Sequence, residues 1–233
     1  MKATYSARKW TSDQKSFDEV LHGWIYAKKF PITPDMYCVD MWVNVGAFAL
    51  YCYEQWVSDY VGYEPDPLSF KCAEHNFTKN KVGEWYRLFN KWIVASAEKV
   101  GYLNINTTGN YRRNSLCHSF QKWKKVKVGL VDIAEEIDTW KKQANGKDIF
   151  LKIDIEGSEM DILERVDLSF AKYIVYEWSF DVDPSITRYK KVLEKLEKQY
   201  HIKHHNFPQK VQEAPIWKKE RFPMYCIAYC VRK

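Results

Sequence analysis

Phe150-Leu151-Lys152-Ile153-Asp154-Ile155-Glu156-Gly157-Ser158-Glu159 is the stretch from which the fold can be read. Asp148 to Ile155 reads as a buried strand, and Ser158 to Val166 reads as a helix just past the break at Gly157. A short apolar strand running through a tight turn into a helix belongs in the middle of a parallel sheet covered on both faces. With a period of two, Lys152, Asp154 and Glu156 share one side of that strand. Three charges on a central strand are costly unless they pair or serve a ligand. Their density at a strand end points to a functional site, with a purely structural Lys–Asp pair as the plainer alternative.

The alternation continues on both sides. Met36 to Val43 and Tyr60 to Tyr63 read as strands, and Gly46 to Tyr60 and Pro67 to Lys79 as helices. Trp85 to Val94, Val100 to Asn106 and Val126 to Val131 are β-rich, Asn106 to Asn114 reads as a loop, and Ile133 to Lys142 is helical. Tyr173 to Tyr176 is a strand, Ser185 to Tyr200 a long helix, and Tyr200 to His205 and Met224 to Val231 close the chain as β structure. Ahead of all this, Asp13 to Lys29 carries Phe17, Val20, Leu21, Trp24 and Ile25 at helical spacing, which predicts one amphipathic helix ending near Phe30-Pro31. The expected organisation is an N-terminal helical arm over residues 1–35 and one Rossmann-like α/β domain over 36–233.

Composition narrows the class. Hydrophobic residues make up 46% and charged residues 28%, a globular balance that excludes a disordered chain. The net charge of +6, with lysine patches at Lys122, Lys124, Lys125 and Lys127 and at Lys190, Lys191, Lys195 and Lys198, allows an anionic partner but also reads as solvated surface. Cys38, Cys52, Cys72, Cys117, Cys226 and Cys230 are scattered without a C-x-x-C pair, so no metal site or disulfide framework is expected, and reduced thiols point to the cytoplasm. No apolar run reaches membrane-spanning length, and Met1 to Trp10 does not read as a signal peptide. His201, His204 and His205 alternate across a strand and do not converge on a metal; His75, His118, Arg112 and Arg113 read as surface or packing residues.

In an open parallel sheet, ligands bind beyond the carboxyl ends of the strands. After the first strand, Asp40 could hold an ammonium group, and Asn44 and Gly46 open a helix whose free N–H groups suit a carboxylate. After the second, Glu64 suits two ribose hydroxyls, while Asp66 before Pro67 suits a helix cap.

These residues resemble the FkbM family of methyltransferases. Leu151 to Leu163 is similar to that family's hallmark, Lys-Ile-Asp-Val-Glu-Gly-Ala-Glu followed by an apolar helix. Tyr63-Glu64-Pro65-Asp66-Pro67 with Asn76 resembles its second-strand motif, and Val94-Ala95-Ser96 with Gly101, Ser115-Leu116 and Leu130-Val131-Asp132 resemble weaker landmarks in the same order. The resemblance spans roughly Tyr37 to Glu177. It implies a class I methyltransferase fold: a mostly parallel seven-stranded sheet, helices on both faces, an antiparallel C-terminal strand. It further implies S-adenosyl-L-methionine as cofactor and a hydroxyl acceptor on a sugar or glycosylated metabolite. Asp40, Asn44 and Gly46 would line the methionine end, Glu64 would take the ribose, and Ala95 and Ser96 would lie near the adenine. The family usually carries Gly where this chain has Trp42, so the indole must point away or occupy part of the pocket.

Methyl transfer is an in-line displacement in which positioning supplies most of the rate. Asp154 first and Glu156 second are the expected catalytic carboxylates, with Lys152 as electrostatic partner; a divalent cation held there could acidify the hydroxyl. A second reading is an RNA ribose 2′-O-methyltransferase with a Lys-Asp-Lys-Glu tetrad, in which Asp154 and Glu177 would serve beside Lys28 or Lys29, with Lys172 the only lysine near the fourth place. A third is a catalytically silent binding or scaffold relative, favoured by Trp42.

Overall fold

The β-rich and helical stretches assemble into two sheets and the helices that cover the larger one. The computed structural model describes residues 2–23, 25–106, 123–179, 185–205 and 225–233. Trp24, Arg112, Arg113, Ser115, Leu116, Cys117, His118, Lys122 and the loop expected from 107 to 114 lie outside the described residues. The elements run α1 (Asp13–Ser16), β1 (Met36–Asp40), α2 (Ala47–Glu54), β2 (Asp59–Tyr63), α3 (Pro67–Lys79), β3 (Tyr86–Phe89), β4 (Trp92–Val94) and β5 (Val100–Asn106). There follow β6 (Trp123–Asp132), α4 (Ile133–Ala144), β7 (Asp148–Ile153), α5 (Glu159–Arg165), β8 (Tyr173–Ser179), α6 (Ile186–Glu197), β9 (Tyr200–His205) and β10 (Tyr225–Arg232).

Seven strands form one sheet in the order β3-β2-β1-β7-β8-β10-β9. The pairs from β3 to β8 are parallel, and β10 runs antiparallel to both β8 and β9. β4, β6 and β5 form a smaller second sheet. β1 and β7 are adjacent at the centre and buried on both faces, as their near-continuous apolar sequences require. Period two divides their side chains: Tyr37, Val39 and Leu151 enter one core cluster, and Cys38 and Phe150 the other. The first cluster is covered by α4, α5 and α6, the second by α2 and the N-terminal arm.

The arm departs from its expected shape. In place of one helix from Asp13 to Lys29 there is α1, a π-helical turn over Phe17–His22 and a 3₁₀ turn over Ile25–Ala27. Tertiary bonds hold the arm in place: the Ile25 carbonyl accepts the Tyr229 hydroxyl, and Arg8 grips the buried Asp13 carboxylate at 2.7 and 2.8 Å. The arm's start is stitched to α3 by two asparagines one turn apart. Asn80 bonds the backbone of Thr4, and Asn76 that of Ser6. Asn76 also donates to the Val45 carbonyl at 2.9 Å, tying the arm to the turn ahead of α2.

α2 ends at Glu54, earlier than its pattern suggests. Trp56 takes a left-handed φ of 63°, its amide bonds Tyr53 O, and the Val57 amide bonds Cys52 O, which together close a Schellman motif. That position usually holds glycine, so the stop is hidden in the sequence. α3, by contrast, begins where Asp66-Pro67 says it should, the Asp66 carboxylate accepting the Leu68 and Ser69 amides. Among the described residues, no helix is long and apolar enough to cross a membrane.

Gly62, at the tip of β2, lets the loop after β1 pass close by. A Cβ there would lie 2.3 Å from Val43 Cγ2 and 2.9 Å from the Tyr60 ring. Gly62→Ala is expected to cost about 1–3 kcal/mol by overpacking, and adding Val43→Ala should return part of the loss; urea melts of the single and double variants check this.

Candidate active site

Asp40 ends β1 and Lys152 lies opposite it on β7, so the two are cross-strand neighbours in register. Lys152 Nζ donates to Asp40 Oδ1 at 2.8 Å and to the Trp42 carbonyl at 2.7 Å. Asp40 also accepts the Tyr60 hydroxyl at 2.7 Å and the Trp42 amide at 3.0 Å. All of this is buried. Burial pushes the Asp40 carboxyl upward, against the pull of Lys152, Tyr60 and the Trp42 amide. Lys152 is pulled down by burial, but Asp40, Asp154 and Glu177 outweigh that and hold its ammonium above the usual lysine range.

Two residues further along the chain, Asp154 Oδ2 lies 3.9 Å from Lys152 Nζ and accepts the Tyr26 hydroxyl. The Tyr26 ring sits 4.9 Å from Lys152 Nζ, in cation–π contact. These groups open onto a cleft lined by Ser16, Val20 and Tyr26 from the arm, Trp42 to Asn44 after β1, Ala47 and Phe48 at the start of α2, and Lys152, Asp154, Glu156 and Glu177 from the ends of β7 and β8. The cleft thus lies at the carboxyl ends of the central strands, where an open α/β sheet binds its ligands.

Of the residues singled out from sequence, Lys152, Asp154, Glu156 and Asn44 meet on this cleft, with Asp40 directly behind Lys152. Glu64 does not line it. It is fully buried, its two oxygens accepting the Asn44 amide at 2.7 Å and the Asp66 amide at 2.8 Å. Gly46 lies below the surface with φ +91°, and a Cβ there would stand 3.2 Å from the Phe77 ring. Ala95 and Ser96 follow β4 and do not line the cleft. Lys28 and Lys29 are exposed outside its lining, and Lys172 pairs with Asp148 at the opposite end of β7. Lys195, one of the patch lysines, caps the carbonyls of Leu163, Glu164 and Val166 at the end of α5. Among the described residues, no group of three or more His, Cys, Asp or Glu is arranged to hold a metal ion.

A model of the FkbM methyltransferase domain matches residues 40–205. The chain belongs to the FkbM methyltransferase family. By that membership it is an S-adenosylmethionine-dependent methyltransferase, and the order of its sheet is that of the class I methyltransferase fold. Among solved structures it is similar to the fibrillarin/Nop5p complex at 10% identity and TM-score 0.50, over 100% of this chain and 93% of that one. It is also similar to a Streptococcus mutans protein described as a candidate S-adenosylmethionine-dependent methyltransferase, at 10% identity and TM-score 0.51, over 94% of this chain and 48% of that one. The tRNA (m1A58) methyltransferase TrmI from Aquifex aeolicus aligns over 98% of this chain and 72% of its own at 11% identity and TM-score 0.44. A comparison with curated protein sequences finds no match.

Two residues of this FkbM methyltransferase do work that their sequence positions do not announce. One is Tyr26, on a 3₁₀ turn far upstream of the carboxylate it bonds. The other is Glu159, the first residue of α5. Its carboxyl group accepts the Ile155 amide at 2.7 Å and the Gly157 amide at 2.9 Å. Those peptide groups flank Glu156, which is held at φ 50°. A left-handed glutamate costs roughly 1–2 kcal/mol, so Glu159 fastens a strained turn that aims Glu156 at the cleft. The signal was present as an acidic residue two places past a glycine, at a helix start.

The donor set fits the methionine end of S-adenosylmethionine. Asn44 Oδ1 is buried beside the cleft with no hydrogen-bond partner among the described residues, an acceptor of the kind an ammonium group requires. Glu64, which the resemblance assigns to the ribose, has no exposed surface, and Trp42 is packed edge-on against Trp92 with ring centroids 5.0 Å apart.

Removing Lys152 strands a buried carboxylate. Lys152→Met is expected to lose about 3–5 kcal/mol, and the double variant Asp40→Asn/Lys152→Met to recover most of it in chemical denaturation. Burial, with repulsion from Asp154 adding to it, pushes Glu159 up to about 8 against its hydrogen bonds. The folded state therefore keeps a proton that the unfolded chain releases near the ordinary glutamate value. That contribution is whole below the unfolded value and disappears as pH rises through about 8. The Tm difference between Glu159→Gln and the parent should accordingly shift in favour of the variant from pH 5 to 8.

Proposed function

We propose that this enzyme transfers a methyl group from S-adenosylmethionine to a hydroxyl of a small-molecule or glycan acceptor seated in the cleft beneath its arm. The observation that carries the reading is the meeting of Tyr26, Lys152, Asp154 and Glu177 on one cleft at the carboxyl ends of the strands. The cofactor, when bound, supplies an electrophilic methyl on a sulfonium. Asn44 and the loop to Gly46 would hold its methionine end, with Asp40 acting through Lys152 and Glu64 through the Asn44 amide.

In this reading Asp154 accepts a hydrogen bond from the acceptor hydroxyl and takes its proton as the new oxygen–carbon bond forms. The Tyr26 hydroxyl fixes the orientation of that carboxylate, and Lys152 offsets the negative charge around it. Glu156 and Glu177 line the remaining wall and would orient the rest of the acceptor. The catalytic domain is taken as residues 36–233, with residues 1–35 as an arm that roofs the cleft. The unpaired thiols of Cys38, Cys52, Cys72, Cys226 and Cys230 support a cytoplasmic setting.

Ribose 2′-O-methylation of RNA is favoured by one observation, the meeting of a lysine, an aspartate and a glutamate at Lys152, Asp154 and Glu177. Against it, Lys28, Lys29 and Lys172 lie away from the cleft lining. RNA binding that weakens steeply with salt would select this second reading.

Asp154→Ala is expected to lower kcat by about 10²–10⁴-fold while calorimetric affinity for S-adenosylmethionine survives, and Tyr26→Phe to lower kcat less with the same affinity. Turnover of Asp154→Ala at the parental rate would remove the assignment.

A further inference from the structure

The chain's excess of positive charge is concentrated in one stretch. Residues 100–131 hold Arg112, Arg113, Lys122, Lys124, Lys125 and Lys127 and no acidic residue, and the other 30 of the 36 basic residues are matched by 30 acidic ones. The whole net charge of +6 therefore resides in β5, β6 and the chain between them. Three of the six, Lys124, Lys125 and Lys127, are among the described residues; they lie on β6 and are exposed. Lys99, just ahead of β5, pairs with Glu135, whereas none of the three β6 lysines has an acidic partner among the described residues.

The strand register sorts these side chains onto two faces. β5 and β6 run antiparallel, with Tyr102 opposite Lys127, Leu103 opposite Val126 and Asn104 opposite Lys125. Leu103, Val126, Val128 and Leu130 pack into the core. The residues that alternate with them, Val100 and Tyr102 on β5 and Lys125, Lys127 and Gly129 on β6, therefore turn outward. Their exposure agrees, with Tyr102 60% and Val100 47% open to solvent. A Cβ at Gly129 would meet one neighbour, Lys91 Cγ at 3.6 Å, so the stem of the exposed Lys91 crosses the same face. Lys91, Lys127 and Lys125 thus form a row with Tyr102 beside its middle member, and the open face ends where Asn104 is buried. None of these residues lines the cleft at the strand ends.

The lysines alone would suit any polyanion, and the ring among them decides which. Each nucleotide of a single strand brings a flat base to stack on an aromatic side chain and a phosphate for a neighbouring cation. A sulfated glycan would satisfy the lysines but offers the ring no aromatic face. A bilayer surface calls for an apolar face as well as charge, and here Val100 alone accompanies the tyrosine.

We propose that the outer face of β5 and β6 docks single-stranded nucleic acid, a base stacking on Tyr102 while phosphates meet Lys91, Lys125 and Lys127. Charge and a ring recognise every nucleotide alike, so the docking is indifferent to sequence. It stands whichever acceptor the cleft takes.

The test is fluorescence anisotropy of a labelled oligouridylate of about 16 nucleotides, titrated with the full chain as parent, Tyr102→Ala, Tyr102→Phe and Lys125→Glu/Lys127→Glu. Three phosphate contacts on a single strand predict a Kd that rises about 20-fold between about 50 and about 200 mM salt. Lys125→Glu/Lys127→Glu is expected to weaken binding by about tenfold or more and to flatten that dependence. Tyr102→Ala is expected to weaken it by about fivefold or more with the salt dependence intact, and Tyr102→Phe to restore the parent's affinity. The replaced side chains are exposed, so circular dichroism and urea melts should match the parent. No binding by the parent at about 50 mM salt overturns the proposal, and so does equal binding by the parent and the charge-reversed variant. Loss in the lysine variant with no change in Tyr102→Ala overturns nucleic acid as the occupant, and tighter binding of heparin in that case gives the face to an acidic glycan.

Discussion

The ion pair between Asp40 and Lys152 is the interaction on which the other parts of the site are hung. It joins the two central strands across their register at the point where both stop. Taking both charges out of water is expensive, and the geometry offsets that cost only because each group has further partners. Asp40 has Tyr60 and the Trp42 amide, and Lys152 has the Trp42 carbonyl and the Tyr26 ring. The same bonds fix the path of the chain after β1, and hence where Trp42 and Asn44 stand. The pair acts as a peg for two loops, and its charge reaches the cleft through Lys152 and Asp154.

Around that peg, the loops at the strand ends are shaped by left-handed backbone. Asn44 and Gly46 take positive φ after β1, and Glu156 and Gly157 after β7. Glycine adopts this geometry freely and asparagine tolerates it, but a glutamate is held there only by force from elsewhere. Glu159 supplies that force through the amides on either side, as Glu64 does for Asn44. Buried carboxyl groups thus serve as clamps for backbone, and the more open Asp154 and Glu156 face the cleft. The difference lies in burial, since the residue types are the same.

The match to the family model begins at residue 40, yet the cleft is completed by Ser16, Val20 and Tyr26 ahead of it. The strand ends lie within the matched residues, and the arm ahead of them supplies the wall nearest Asp154.

What the sequence by itself determined is what a strand or helix encodes within a few residues. The period of two in β7 placed Lys152 and Asp154 on one side, the apolar runs of β1 and β7 put them at the centre of a parallel sheet, and Asp66-Pro67 announced the start of α3. Only the tertiary structure decided the rest, because the partners are far apart in the chain and no local pattern records them. Tyr26 and Asp154 are 128 residues apart, and Asp40 and Lys152 112. The arm's last turn is held by the Tyr229 hydroxyl on the Ile25 carbonyl, and α2 stopped at a tryptophan that stands where glycine is usual. Glu64 reads as a ligand-binding residue from its place at a strand tip, and the structure adds that its buried carboxylate accepts the Asn44 and Asp66 amides. Burial and long-range hydrogen bonding assign such roles, and both exist only once the chain has closed on itself.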